Sequence, residues 1–137
     1  MNTTTLTLTD RARRVVAEAQ AERDRLGHPV LTPQHLLWAL FNDEGSVAMQ
    51  VLNDLHFDPA IVPKRLGPDW HATGPVKGSE DLVAAATESA SELGQQYVDS
   101  AHLLLGVLRG QSRIAKLLHA EGVTYAAALE ATRRFWT

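Results

Sequence analysis

The sequence predicts an all-α fold in which eight helices form two similar sets of four. Apolar residues recur at helical spacing through most of the chain, and no alternation typical of strands lasts longer than a few residues. In addition, the segment from Leu26 to Leu40 returns between Leu93 and Val107, at a constant offset of 67 residues (from 26 to 93). An internal repeat of this kind indicates a fold built from two copies of one unit.

The repeat extends on both sides of this segment. Upstream, residues 15–19 align with residues 82–86 at the same offset. Downstream, one residue is lost, so that Val51-Leu52 aligns with Leu117-Leu118. Each half is too short to bury a good core by itself, so we expect the two halves to pack together around a pseudo-two-fold axis.

The predicted organisation is a single domain spanning residues 1–137. Repeat one occupies about 8–66 and repeat two about 79–137. Between them, residues 67–78 are dense in glycine and proline and carry no helical period, as expected of a linker. Residues 1–8 are rich in threonine and are predicted to form an extended arm.

The helices of repeat one each begin at a residue suited to capping a helix N-terminus. Such a residue accepts a hydrogen bond from a backbone N–H that the first turn leaves unpaired. The first helix is predicted to end near Leu26, before Gly27 as its C′ residue, and the second to begin with Pro33. The predicted caps, in chain order, are Thr9, Thr32, Ser46 and Asp58.

The helices of repeat two follow the same scheme. The first is predicted to end at Leu93, before Gly94, and the last runs towards Phe135 and Trp136. The predicted caps are Ser79, Asp99, Ser112 and Thr124. The order of helices is therefore the same in both halves.

The composition is that of an ordinary globular protein, with 45% hydrophobic and 21% charged residues among 137. There is no cysteine, which excludes disulfides, thiolate zinc sites and cysteine nucleophiles. A net charge of −3 gives no basic surface of the kind that binds nucleic acid. The first residues lack a signal-peptide pattern, and no apolar run reaches the roughly 20 residues of a membrane helix. We therefore expect a soluble, cytoplasmic protein that binds neither nucleic acid nor membranes.

Four segments of repeat one form a set that repeat two follows in the same order. They are Leu-Thr-Asp-Arg-Ala at 8–12, Leu-Gly-His at 26–28, Thr-Pro-Gln-His-Leu-Leu at 32–37 and Glu-Gly-Ser-Val-Ala at 44–48. Together they resemble the double Clp-type N-terminal domain, the peptide-recruiting front end of the bacterial ClpA and ClpC unfoldases. The resemblance covers nearly the whole chain.

The resemblance implies an eight-helix pseudo-dimer that uses no cofactor and catalyses nothing. Domains of this family bind adaptors, substrate segments or cyclic-peptide antibiotics, and in the unfoldases they are followed by ATPase modules. This chain has no Gly-x-x-x-x-Gly-Lys-Ser/Thr phosphate loop, so it is not itself the motor. The start at Met1 and the divergence of the repeats favour a free-standing protein over an excised piece.

By resemblance, the ligand-binding groove lies between the halves, at the start of each first helix and each second helix. The residues implied are Leu8, Arg11, Thr32, Gln34, Pro75, Glu80, Asp99 and Ala101. Family members that recognise phosphorylated arginine use a glutamate before the histidine of each repeat, and Gln34 and Ala101 stand at those positions. Neither can pair with a guanidinium, so phosphoarginine binding is not expected. Leu8 and Pro75 replace the aromatic residue that starts each repeat in the family.

These observations favour a non-enzymatic module that binds proteins or peptides beside a Clp protease, as an accessory factor, adaptor or decoy. Its partners would be Clp unfoldase or protease components, their adaptors or their client peptides. The alternative is a protein that sequesters a cyclic-peptide antibiotic or another small molecule. An enzyme is the least favoured hypothesis, because nothing places two of the carboxylates Asp43, Glu44, Glu80 and Asp81 around a pocket.

Other conspicuous residues allow two interpretations. His35 and His102 occupy equivalent positions, which suits a metal site, but each falls in a first helical turn, which favours a role in capping and repeat architecture. The arginines near positions 11–14 and 133–134 suit a solvated helix face better than a nucleic-acid surface. Trp38 is expected in the core, and Trp70 either covers a groove or folds back onto the domain.

Overall fold

The computed structural model describes residues 6–72 and 81–135. Within these ranges the elements in chain order are β1 (Thr7–Leu8), α1 (Asp10–Arg25), α2 (Pro33–Phe41), α3 (Val47–Asp54), α4 (Ile61–Leu66), α5 (Leu82–Glu92), β2 (Tyr97–Val98), α6 (Ser100–Arg109), α7 (Arg113–Ala120) and α8 (Tyr125–Arg134). Four helices precede the gap in the described residues and four follow it. The predicted class, all-α with two sets of four helices, is confirmed.

Most of the predicted caps begin their helices as the sequence indicates. In each of these the side-chain oxygen accepts a backbone N–H three residues further on, which satisfies a donor that the first turn leaves unpaired. The residues concerned are Thr9, Thr32, Ser46, Ser112 and Thr124. Asp99 also takes the N-cap position of α6, as predicted.

Two of the predicted helix starts are wrong or displaced. Asp58 does not cap a helix that begins at Pro59: its carboxylate accepts from the Ala60 N–H at 3.0 Å in a turn, and α4 begins at Ile61. In repeat two the cap of α5 is Asp81, whose carboxylate accepts from the Ala84 N–H at 2.9 Å. Ser79, the predicted cap, lies outside the described residues.

The first strand joins the two repeats. β1 pairs with β2 in parallel, with Thr7 opposite Tyr97 and Leu8 opposite Val98. The pairing continues through the Thr9 N–H, which donates to the Val98 carbonyl at 2.9 Å. β1 falls in the predicted extended arm, but strands of two residues carry no alternation from which their pairing could be predicted.

Helix α6 lies at the centre of the core, with every residue from Ser100 to Leu108 buried. It packs against α5, α3, α2, α8, α7 and α1. The large side chains of the core come mainly from α2 and α6: Leu36, Leu37, Leu40, Leu103, Leu104, Leu105 and Leu108. A helix that is apolar on all sides must be surrounded in this way, and here helices of both repeats surround it.

Helices α5 and α6 approach closely at Gly106. A Cβ at this position would lie 3.0 Å from both the Ala86 nitrogen and the Leu82 carbonyl oxygen, which are backbone atoms of α5. The absence of a side chain therefore sets the separation of the two helices. No helix in the described part of the chain is long and apolar enough to cross a membrane.

Candidate functional site

Two of the residues expected to line the groove meet at the junction of the repeats. Leu8, half-buried, ends β1, and Asp99 begins α6 directly after β2. The Thr9 hydroxyl donates to Asp99 Oδ1 at 2.7 Å, so the cap of α1 also contacts the cap of α6. We call this place, formed by Leu8, Thr9, Val98 and Asp99, the repeat junction.

Arg11 and Gln34 lie away from one another. The Arg11 guanidinium pairs with the Asp43 carboxylate at 3.5 Å, beyond the C-terminal end of α2. Gln34, in the first turn of α2, donates from Nε2 to the Trp70 carbonyl at 2.9 Å. Since Gln34 and Asp43 are nine residues apart in and just after α2, the two contacts are roughly 13 Å apart along the helix axis.

Thr32 and Ala101 are buried. Thr32 is 8% exposed and its hydroxyl caps α2, whereas Ala101 is fully buried in the first turn of α6. Pro75 and Glu80 lie outside the described residues. The residues expected from the resemblance therefore do not form one cluster among the described residues, and Leu8 and Asp99 are the pair that the structure brings together across the repeats.

A polar cluster that was not predicted lies in repeat one, under the segment that follows α4. Glu22 is 7% exposed. It accepts two hydrogen bonds from Arg25, at 2.8 and 2.6 Å, and contacts His71 Nε2 at 2.8 Å. The hydrogen bonds from Arg25 and then from His71 lower the pKa of Glu22 to about 2, although burial opposes this. The His71 ring stacks on Trp38 with centroids 4.9 Å apart, and this fixes the segment after α4 against α1 and α2.

Trp70 belongs to the same segment. It is 6% exposed and its ring lies 5.8 Å from that of Phe41, so the residue folds back onto the domain, one of the two outcomes expected. Trp38 is only partly buried, but it packs against the core.

The two histidines at equivalent positions each complete a capping box. The Thr32 N–H donates to His35 Nδ1 at 3.0 Å, and the Asp99 N–H donates to His102 Nδ1 at 2.8 Å. The other ring nitrogen, Nε2, contacts His28 Nδ1 at 2.9 Å in repeat one and Gln95 Oε1 at 2.7 Å in repeat two. These contacts support the capping role that the sequence favoured for both histidines.

Both rings are held neutral. Burial lowers the pKa of His35 to about 4, helped by the neighbouring His28, His71 and Arg23. Burial also lowers the pKa of His102 to about 4, and Asp99 opposes this. A charged imidazolium would carry a proton on Nδ1 and would need an acceptor there, but each ring now accepts a backbone N–H at that atom.

Repeat two carries a different polar network at the end of α6. Arg109 donates to Ser89 Oγ at 2.9 Å and to the Tyr125 hydroxyl at 2.8 Å, and it pairs with Glu88 and Glu92. Its guanidinium lies 4.8 Å from the centre of the Tyr125 ring. Burial raises the pKa of Tyr125. The network links α5, α6 and α8, and Ser89 takes part as a bridging hydroxyl.

No metal site emerges from the described residues. Between residues 6 and 72 and between 81 and 135, no three histidine, aspartate or glutamate side chains are grouped so that they could hold an ion.

A cavity of about 260 Å³ lies beside α5 and α6, lined by Asp81, Leu82, Ala85, Gly106, Arg109 and Gly110. In the sequence, Arg11 and Asp43, which form an ion pair in repeat one, align with Gly78 and Gly110 of repeat two at the offset of 67 residues.

Comparison with known families gives a match over both repeats. The model described as "Clp repeat (R) N-terminal domain" matches residues 7–76 and again residues 77–137. The chain belongs to the Clp repeat N-terminal domain family. The family expected from the sequence signature is thus confirmed.

Relatives of this Clp repeat domain carry the name "Chaperone protein ClpB". The protein from Corynebacterium glutamicum is 32% identical over 134 residues, covering 90% of this chain, and that from Corynebacterium diphtheriae is 30% identical over 128 residues, covering 85%. The chain spans only 16% and 15% of the length of these two relatives. Among solved structures, the Hsp104 N-terminal domain from Candida albicans matches with a TM-score of 0.68 and 17% identity, over 92% of this chain and 89% of that one. That likeness shows that the fold is shared.

The buried carboxylate of this Clp repeat domain yields a first prediction. Replacing Glu22 by alanine is expected to lower the free energy of unfolding by about 2 kcal/mol, because the buried His71 ring loses its partner. Urea denaturation at neutral pH measures the change. Glu18→Ala is the matched control, since Glu18 is exposed one turn earlier on the same helix, and it should change stability by less than about 0.5 kcal/mol. Equal effects of the two substitutions would contradict the role assigned to Glu22.

Sequence reasoning overlooked this cluster, although a signal was present. Val15, Ala19, Glu22 and Leu26 share one helical face, so a carboxylate stands on the apolar stripe of α1. A carboxylate on such a stripe needs a buried partner. His71 follows the fourth helix in a segment without periodicity, so nothing in the sequence indicated that it supplies that partner.

Proposed function

We propose that this chain binds extended segments of other proteins without catalysing a reaction, and that it competes for them with the N-terminal domain of a Clp chaperone. It would then act as an accessory factor, adaptor or decoy for Clp clients. Membership of the family supports the general kind of partner. The relatives are named chaperones, and this chain corresponds to a small part of their length.

The observation that carries the proposal is the repeat junction. Repeat one and repeat two meet here because Leu8 of β1 lies opposite Val98 of β2 and the Thr9 hydroxyl donates to Asp99. The junction thus contains a half-buried leucine, which packs against the core, and a carboxylate from the other repeat. This combination suits a segment that carries an apolar residue beside a basic one.

Gln34 makes phosphoarginine a poor ligand in this proposal. Its amide nitrogen donates to the Trp70 carbonyl, and an amide has no charge to pair with a guanidinium. Ala101, the equivalent position in repeat two, is buried. We therefore expect the chain to bind an arginine peptide at least as tightly as its phosphorylated form.

The test is a fluorescence anisotropy titration of a labelled, chemically unfolded polypeptide with the full chain. Wild-type protein should bind, and an excess of the isolated N-terminal domain of a ClpB relative should displace it. Leu8→Ser is expected to weaken binding about tenfold, which corresponds to about 1.4 kcal/mol. The substitution removes the apolar contact but leaves the backbone pairing of β1 in place.

Arg113→Glu serves as the control, since Arg113 is exposed on α7. It should bind like wild type, and thermal unfolding of each variant should show that the fold is retained. Failure of the wild-type chain to bind any unfolded polypeptide would overturn the proposal. Equal binding by wild type and Leu8→Ser would show that the polypeptide binds somewhere other than the repeat junction.

The alternative, sequestration of a cyclic-peptide antibiotic or another small molecule, has one observation in its favour. The cavity beside Ala85 and Gly106 is also lined by Gly110, which stands at the position of Asp43 in repeat one. Its volume of about 260 Å³ is below the roughly 300–1,000 Å³ of ordinary ligand pockets. We therefore prefer the extended-segment proposal.

A further inference from the structure

The connections from α1 to α2 and from α5 to α6 begin with the same backbone motif. Gly27 and Gly94 follow the helices in the left-handed region, with φ of 71° and 73°. The next residue then donates its N–H back to the helix: His28 to Arg23 at 3.0 Å and Gln95 to Ala90 at 2.9 Å. His28 and Gln95 therefore occupy equivalent positions, each seven residues before the histidine of its capping box.

The hydrogen bonds fix which ring nitrogen of each buried histidine carries the proton. In His35, Nδ1 accepts the Thr32 N–H, so the neutral ring holds its proton on Nε2. That Nε2–H donates to His28 Nδ1 at 2.9 Å, which requires a lone pair on His28 Nδ1. In repeat two the same logic gives His102 Nε2–H donating to Gln95 Oε1 at 2.7 Å.

The two acceptors differ in one property. Imidazole is the side chain whose ordinary change of charge falls between pH 5 and pH 8, whereas an amide does not titrate. A proton on His28 Nδ1 would convert the acceptor into a donor, and two N–H groups would face each other. His35 is 1% exposed, so its Nε2–H does not contact bulk water while His28 stays in place.

We propose that the hydrogen bond between His28 and His35, here called the histidine latch, opens when His28 is protonated and loosens the connection from α1 to α2. The equivalent connection in repeat two, with Gln95 as acceptor, stays closed. Mild acidification would thus loosen the start of α2 in repeat one and leave the start of α6 in place. The latch is a property of the fold and stands whatever ligand the repeat junction binds.

The charged and titratable groups around the latch come from α1 and from the segment after α4. Glu22 and Arg23 face it from α1, with Arg25 paired to Glu22, and His71 faces it from the segment after α4. Arg23 and His71 disfavour added positive charge on His35, and Glu22 favours it. Since burial also lowers the pKa of His35 and His102 to about 4, both rings stay largely neutral near pH 5.5. At that pH the two repeats therefore differ in the side chain that accepts the Nε2–H, which is His28 in repeat one and Gln95 in repeat two.

The test is backbone amide hydrogen exchange on the full, ligand-free chain at about pH 7.5 and about pH 5.5, corrected for the intrinsic pH dependence of exchange. In wild type, protection of residues 28–36 should fall at least about tenfold at the lower pH relative to residues 95–103. His28→Gln, which places the glutamine of repeat two at the equivalent position of repeat one, should abolish the difference in protection between the two segments. Gln95→His, the reciprocal change, should transfer the loss of protection to residues 95–103.

Unchanged protection of residues 28–36 in wild type would overturn the latch. So would an equal loss in His28→Gln, because the loss would then not depend on the imidazole. If Gln95→His does not fold, wild type and His28→Gln still decide the question. Thermal unfolding at about pH 7.5 verifies that the variants retain the fold.

Discussion

Lowering the pH from about 7 to about 5 is expected to remove about 4 kcal/mol from the free energy of unfolding through His35 and His102, about 2 from each. Each ring has a pKa of about 4 in the folded chain, against an ordinary value of 6.5. Below about pH 6.5 the unfolded chain therefore binds more protons than the folded one. The stabilisation is complete above that pH, declines as the pH falls, and is lost below about pH 4.

Chemical denaturation at a series of pH values measures this dependence. His102→Gln should reduce the loss between about pH 7 and pH 5 by about 2 kcal/mol, because glutamine is a suitable third residue for a capping box but does not titrate. His56→Asn is the control, since His56 is exposed and asparagine tolerates its positive φ of 59°. A pH dependence that is the same in wild type and His102→Gln would show that the buried ring is not responsible.

Replacing Gly106 by valine is expected to cost about 3 kcal/mol of stability. The new Cβ would lie 3.0 Å from two backbone atoms of α5, those of Ala86 and Leu82, and backbone cannot move aside as a flexible side chain can. Helices α5 and α6 would have to separate, which disturbs the core around the central helix. Gly106→Ala should have the same sign but a smaller effect, because alanine also improves helix propensity.

Gly45→Ala is the matched control for this prediction. There the added Cβ would meet the end of the Arg11 side chain at 3.5 Å, an ordinary contact with a movable group. Its stability should lie within about 0.5 kcal/mol of wild type. Urea denaturation compares the three variants. A Gly106→Val protein as stable as Gly45→Ala would show that a side chain at position 106 fits between α5 and α6 without displacing them.

The helices could be predicted because their signals are local. A threonine or serine that caps a first turn, as at Thr9 or Ser112, acts on an N–H three residues away, and an apolar stripe needs only its own helix. The same reasoning was wrong at Asp58. Its side chain satisfies a turn N–H there, and the sequence does not distinguish that bond from a helix cap.

The site could be predicted only in part, because its contacts join distant residues. Ala101 was expected to line a groove, but it lies in the first turn of a helix that is buried on all sides. The contact between Thr9 and Asp99 and that between Glu22 and His71 depend on how the repeats and the segment after α4 fold back. Periodicity along the chain carries no information about such contacts.

The pairing of β1 with β2 has a consequence for biosynthesis. Thr9 forms its side-chain bond with a residue 90 positions later in the chain, so the start of the first repeat cannot be completed until Asp99 has left the ribosome. Helices with good caps can form early, but the contact that closes the structure is among the most distant in sequence, and such contacts slow folding. A nascent chain halted before Tyr97 would therefore lack both the partner strand of β1 and the central helix α6, and its first repeat would stay unclosed.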